Sequence, residues 1–170
     1  MDNFLRKPKA FLGGIKKIYL VPFVDYSYPL IKSVGNTLTV FPTMFVYQLD
    51  VIGNYTQKST ANDGGISWDQ TITMKFNELY NDLDINIFFQ RDFRVIIETN
   101  NGIILMLGVR NGLVCSLNNS SGTGKNEFNG FSLDFTGKEE KQALQIADLN
   151  ALGIFIYSLN AFNYDLNFNF

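Results

Sequence analysis

The chain has 170 residues, 46% of them hydrophobic and 15% aromatic, so it carries enough apolar surface for one packed domain and is not a disordered segment. Only 18% are charged and the net charge is -2, which argues against a general nucleic-acid binder held by phosphate contacts. Histidine is absent, which removes the commonest general base, the usual nucleophile triads and most zinc sites.

Residues 1–17 read as a basic N-terminal arm, with Arg6, Lys7, Lys9, Lys16 and Lys17 and a Gly13-Gly14 hinge. No apolar stretch of signal length follows, and no run approaches the roughly 20 apolar residues of a membrane span, so no membrane insertion is expected. Ile18 to Val24 reads as a strand that Pro22 confines to an edge or a strand end. Leu38 to Val51 is aromatic and β-branched, split by Pro42. Asn54 to Gly65 is rich in Ser, Thr, Asn and Gly and reads as the projecting tip of a long hairpin, carrying Asn54, Thr56, Lys58, Asn62 and Gly64. Ile66 to Phe76 alternates, with Trp68, Ile72, Met74 and Phe76 on one face and Asp69, Thr71, Thr73 and Lys75 on the other. Trp68 is expected in the core.

The period then changes. Leu79, Leu83 and Ile87 recur at helical spacing behind Asn77 as N-cap, which predicts one short helix over 78–90. From Arg94 to Leu117 the turn signals Asn100-Asn101-Gly102 and Asn111-Gly112 predict a three-stranded meander. Cys115 lies in an apolar run, reads as a core residue and has no second cysteine to pair with, which fits synthesis in a reducing cytoplasm. Asn118 to Gly130 is a loop, and Phe131, Leu133 and Phe135 mark another strand. Gly122-Thr123-Gly124-Lys125 lacks the other residues of a phosphate-binding loop. Glu139 and Glu140, between Lys138 and Lys141, read as a solvated charge run.

Residues 149–170 form a C-terminal strand and an aromatic arm, in which Phe162, Tyr164, Leu166, Phe168 and Phe170 alternate with Asn and Asp. That face packs on its own domain or completes the sheet of another subunit, and the five apolar residues are the candidate subunit interface. The fold class is mainly β: an antiparallel β-sandwich or half-barrel with one short α-helix and extended arms around a domain at 18–148. No catalytic residue, metal ligand or cofactor is expected.

The order of elements through Ser67-Trp68, Arg94-Val95-Ile96-Ile97, Asn100-Asn101-Gly102, Leu107-Gly108, Asn111-Gly112 and Gly130 to Glu139 resembles the tail-tube-like ring-forming structural proteins of tailed bacteriophages. The resemblance covers roughly 45–140. In its Asn- and Phe-rich style the chain is similar to virion proteins of crAss-like phages of Bacteroidetes. The resemblance implies a homo-oligomeric ring in the tail or neck of a virion, stacked on neighbouring ring proteins, with genome DNA passing through its lumen without sequence-specific contacts. A ring subunit elutes as a large oligomer or assembles with its partners. The other reading is a monomeric β-sandwich module that binds carbohydrate or peptide through Trp68 and loop residues.

Overall fold

The computed structural model describes residues 13–23, 31–41, 44–49, 52–76, 92–121, 129–152 and 154–158. Twelve strands are found among them: β1 (Ile15–Pro22), β2 (Lys32–Val34), β3 (Thr37–Val40), β4 (Met44–Leu49), β5 (Ile52–Asn62), β6 (Gly65–Phe76), β7 (Phe93–Thr99), β8 (Ile104–Leu107), β9 (Val114–Ser120), β10 (Gly130–Glu139), β11 (Leu144–Ile146) and β12 (Ile154–Ser158). A 3-10 turn, Asn150–Leu152, precedes β12. The predicted helix at 78–90, most of the basic arm and the terminal aromatic residues from Phe162 to Phe170 lie outside the described residues.

All strands join one large mixed sheet in the order β2-β3-β11-β8-β7-β1-β5-β6-β10-β9, with β4 branching from β1 and carrying β12. The expectation of a purely antiparallel sheet is corrected at two places. β11 lies parallel to β3, with Gln145 opposite Thr37, and β12 lies parallel to β4 from Ile154–Met44 to Ser158–Gln48. Parallel neighbours need long crossover connections. Here they join segments about a hundred residues apart, and no local turn signal reports such a pairing.

β1 is a central strand. Its residues Lys17 to Pro22 pair with β7, while its other edge pairs with β4 at Ile18–Leu20 and with β5 at Ile15 alone. Pro22 is tolerated because it ends the strand. Both faces of the β1–β7 pair are buried, so their apolar residues run nearly without a break. One face sends Ile18, Leu20, Val95 and Ile97 into a core shared with Ile72, Met74, Leu133 and Phe135. The other sends Tyr19, Val21 and Ile96 into a second core with Leu38, Phe41, Met106 and Ile146. Cys115 belongs to the first core, and burial, with the nearby Asp134 carboxylate, pushes its thiol up to about 12.

The β7–β8 hairpin forms where Asn100-Asn101-Gly102 predicts it, but by a different turn. Gly102 N–H donates to the Thr99 carbonyl at 2.9 Å and Thr99 N–H to the Ile103 carbonyl at 2.9 Å. Gly102 takes a φ of 75°, while no described non-glycine residue has a positive φ. That is an ordinary turn followed by a left-handed glycine, since a two-residue primed turn would need positive φ at Asn101 as well. The predicted third strand of a meander is not found beside β8. β9 pairs instead with β10, from Thr136–Val114 to Gly130–Ser120. Gly108 and Gly112, with φ of 65° and 77°, turn the connecting loop away from β8. Gly112 N–H closes that loop on the Gly108 carbonyl at 3.2 Å. Leu113 then bonds Phe93 of β7 through both backbone groups, and the chain leaves along β10.

Candidate assembly surface

β5 and β6 pair from Ile52–Lys75 to Asn62–Gly65 around a turn at Asp63 and Gly64. The predicted polar tip at 54–65 is therefore mostly regular strand. Its Ser, Thr and Asn residues read as loop because one face of the strand is solvated and carries no apolar alternation to betray it. β10 accompanies β6 only as far as Glu139 opposite Trp68. Beyond that row the pairs Thr60–Ser67, Ala61–Ile66 and Asn62–Gly65 stand as two strands alone. At roughly 3.4 Å per residue the two-stranded tip projects by about 10 Å. Ile66, on this tip, is 60% exposed. Trp68 sits at its base in the last row that β10 pairs, and is half-buried and not in the core as expected.

Strands β5, β6, β10 and β9 form a four-stranded antiparallel unit with two unlike faces. Row by row, Tyr55–Ile72–Phe135–Cys115 and Gly53–Met74–Leu133–Leu117 face the first core. On the opposite face the described side chains are polar apart from Val114. It carries Asn54, Thr56, Lys58 and Thr60 on β5, then Asp69, Thr71 and Thr73 on β6. Asp134, Thr136 and Lys138 on β10 continue it, as do Ser116 and Asn118 on β9. Its charges are of mixed sign and partly matched: Lys138 Nζ lies 3.8 Å from Asp69, and Asn118 donates to Asp134 at 2.8 Å. The structure thus brings the predicted residues Asn54, Thr56 and Lys58 onto one exposed face. Gly64 is in the turn, and Asn62 is placed by its backbone pairing with Gly65.

The apolar side of the unit is closed by polar residues that composition alone did not single out. Gln57 Oε1 accepts from Ala143 N at 2.9 Å and also from the Tyr55 hydroxyl, whose burial raises it to about 12. Gln70, 1% exposed, accepts from Gly108 N at 2.9 Å and donates to the Lys141 carbonyl at 3.4 Å. Glu139 is 4% exposed, which corrects its reading as part of a solvated run. It accepts from Asn111 N at 2.9 Å and from Arg110 N at 3.2 Å. Burial raises its pKa, while the two backbone N–H groups and the Arg94 guanidinium oppose that shift. Arg94 is fully buried, donates Nε to the Val109 carbonyl at 2.9 Å and lies 4.3 Å over the Phe23 ring. Gln70, Arg94 and Glu139 hold the loop 108–112 against β6, β7 and β10. No buried side-chain nitrogen or oxygen among the described residues lacks a partner. Glu140, by contrast, is exposed and pairs with Arg110, as a surface charge does.

The outer strands of the four-stranded unit are β5 and β9. Among the described residues β5 meets β1 only at Gly53, and β9 meets β7 only through Leu113 just before it. Among the described strands, none pairs with β5 beyond Gly53 or with the outer edge of β9. Neither strand contains proline, β9 has no charge, and β5 carries Lys58 as its one charge. Proteins that keep an edge to themselves usually shorten it, charge it or bend it away. No family model, curated protein or solved structure matches this chain.

Proposed function

We propose that this chain is a virion structural protein, a ring-forming subunit of a phage tail or neck that builds a DNA-conducting channel through contacts between copies. The observation that carries the reading is the β5-β6-β10-β9 unit, with no described strand along its outer edges beyond Gly53 and Leu113 and a free face that is polar apart from Val114. A strand edge of this length, with no proline and Lys58 as the one charge on the two strands, favours pairing with another chain. Two different edges on one subunit make a head-to-tail contact, which closes into a ring when the rotation allows. A free face of Thr, Ser and Asn, with Lys58, Lys75 and Lys138 set against Asp69 and Asp134, suits a lumen through which DNA slides. Few net positive charges mean few phosphate contacts and little hold on the duplex. The path β7-β1-β5-β6-β10-β9, turned back on itself by the Phe93–Leu113 bridge, supports a half-barrel form for the subunit body. The terminal residues Phe162, Tyr164, Leu166, Phe168 and Phe170 serve as a further arm between subunits.

Negative-stain imaging of the purified chain tests the proposal. Annular particles with a central hole wide enough for a DNA duplex are the expected result. A monodisperse monomer that binds an oligosaccharide or peptide, and loses that binding when Trp68 is replaced, would favour the recognition module instead.

A further inference from the structure

Asn-Gly pairs stand at Asn101-Gly102, Asn111-Gly112 and Asn129-Gly130. In such a pair the backbone nitrogen of the glycine lies within reach of the asparagine Cγ, and no Cβ on the glycine hinders its approach. The fold sets the first two pairs apart. Asn101 is exposed at the tip of the β7–β8 hairpin, and no hydrogen bond holds its side chain among the described residues. Gly102 is exposed beside it, and its N–H makes a turn bond to the Thr99 carbonyl at 2.9 Å. Asn111 is held at its side chain and on both sides along the backbone. Its Nδ2 donates to the Lys138 carbonyl at 2.7 Å, its N–H to the buried Glu139 carboxylate at 2.9 Å, and Gly112 N–H to the Gly108 carbonyl at 3.2 Å. The space around Gly112 is filled as well, since a Cβ there would lie 2.9 Å from Asp92 Cβ and 3.1 Å from the Phe23 ring. Asn129 is exposed, but Gly130 is buried as the first residue of β10, opposite Ser120.

We infer that Asn101 is a site of spontaneous deamidation in the folded protein, and that the clasp around the loop 108–112 shields Asn111 from the same reaction. The step needs only water and hydroxide. Gly102 N leaves the Thr99 carbonyl, gives its proton to hydroxide and attacks Asn101 Cγ. The new C–N bond closes a cyclic imide, the Cγ–Nδ2 bond breaks, and Nδ2 departs as ammonia with a proton from water. A further water opens the imide at either carbonyl, which leaves aspartate or isoaspartate at this position. At Asn101 the geometry is reached by fraying an exposed turn, an opening of low free energy. At Asn111 the same geometry requires the side chain to leave Lys138 and the backbone to leave Glu139, whose side chain is 4% exposed. The product carboxylate at Asn101 stands beside Asn100, whose side chain donates to the Gly13 carbonyl at 2.6 Å, so the new charge lies where the basic arm joins the sheet.

Incubation of the purified full chain at mildly alkaline pH, with peptide mapping by mass spectrometry at intervals, tests the inference. The expected result is conversion at Asn101 faster than at Asn111 by about tenfold or more, a ratio set by the difference in local opening. In concentrated urea the two sites should convert at similar rates, because the reacting dipeptide is the same. Glu139→Gln weakens the hold on the Asn111 amide and should speed conversion at Asn111 by about fivefold, as the loss of one hydrogen bond implies, without changing the rate at Asn101. Native rates that are equal at the two sites, or faster at Asn111, would overturn the inference. So would an Asn101 that stays intact in the folded chain over the time in which the urea-unfolded chain converts. A rate at Asn111 that does not respond to Glu139→Gln would overturn the shielding by the clasp.

Discussion

Replacing Glu139 probes the clasp that carries the chain from β8 to β9. Its carboxylate is 4% exposed and accepts from the backbone N–H groups of Asn111 and Arg110 at 2.9 and 3.2 Å. Glu139→Ala takes the carboxylate acceptor away from both donors, at about 1–3 kcal/mol each when buried. It also removes the negative charge that faces the fully buried Arg94. The backbone of an exposed loop regains part of its hydration, so the expected loss is about 3 kcal/mol. Glu139→Gln keeps one acceptor and should lose about 1 kcal/mol. The pH dependence has a definite sign. Burial holds the folded carboxyl above its ordinary value of 4.5, so on raising the pH the unfolded chain gives up this proton first. In that window the unfolded state binds fewer protons, and the contribution of Glu139 to stability falls as pH rises from 4.5 through the folded value. The fall is absent in Glu139→Gln. Urea unfolding of the three proteins between pH 4 and 8 measures both effects. An alanine variant within about 0.5 kcal/mol of the parent, the range of an ordinary surface substitution, would refute this role, as would an unchanged pH slope in Glu139→Gln.

Gly137→Ala should cost about 2–3 kcal/mol in the same assay, because a Cβ there would lie 2.6 Å from the Gly112 carbonyl and from Leu113 Cδ2, and overpacking of this kind is poorly relieved. A neutral result would mean that the loop does not cross β10 so closely. Leu133→Ala, in the first core at 0% exposure, should cost about 2–5 kcal/mol, read from the urea midpoint at constant slope. Deleting residues 161–170 should leave the melting temperature of the domain unchanged while weakening assembly by light scattering. Aggregation of the truncated chain would show instead that its aromatic face belongs to the subunit's own core.

The parts of the fold legible in the sequence are those where local pattern and tertiary burial agree. Ile72 and Met74 alternate with Thr71 and Thr73, and β6 buries that face; Asn100 to Gly102 marks a hairpin, and one forms. What escaped is set by distance along the chain. Nothing local distinguishes the Asn111-Gly112 turn that would close a meander from the actual loop, whose path is set by Gln70 and Glu139, 38 and 29 residues from their backbone partners. Glu139 carries a surface residue's signature, flanked by lysines and another glutamate, and its burial follows from the loop that folds over it. β5 was half hidden because a strand with a polar face and a Tyr-Gln-Ser inner face lacks the alternation by which strands are recognised. Of the candidate site, Asn54, Thr56 and Lys58 were found as a projecting polar element, but their role as one edge of a four-stranded unit needed the pairing of β10 and β9, which are remote in sequence.

The mass of the purified full chain in solution, followed by light scattering over a hundredfold range of concentration, tests the ring directly. A ring subunit gives one discrete multiple of the chain mass above the dimer, unchanged on dilution until it dissociates as a unit. A mass that stays at one chain throughout, or that grows without limit as open filaments do, would contradict a closed ring.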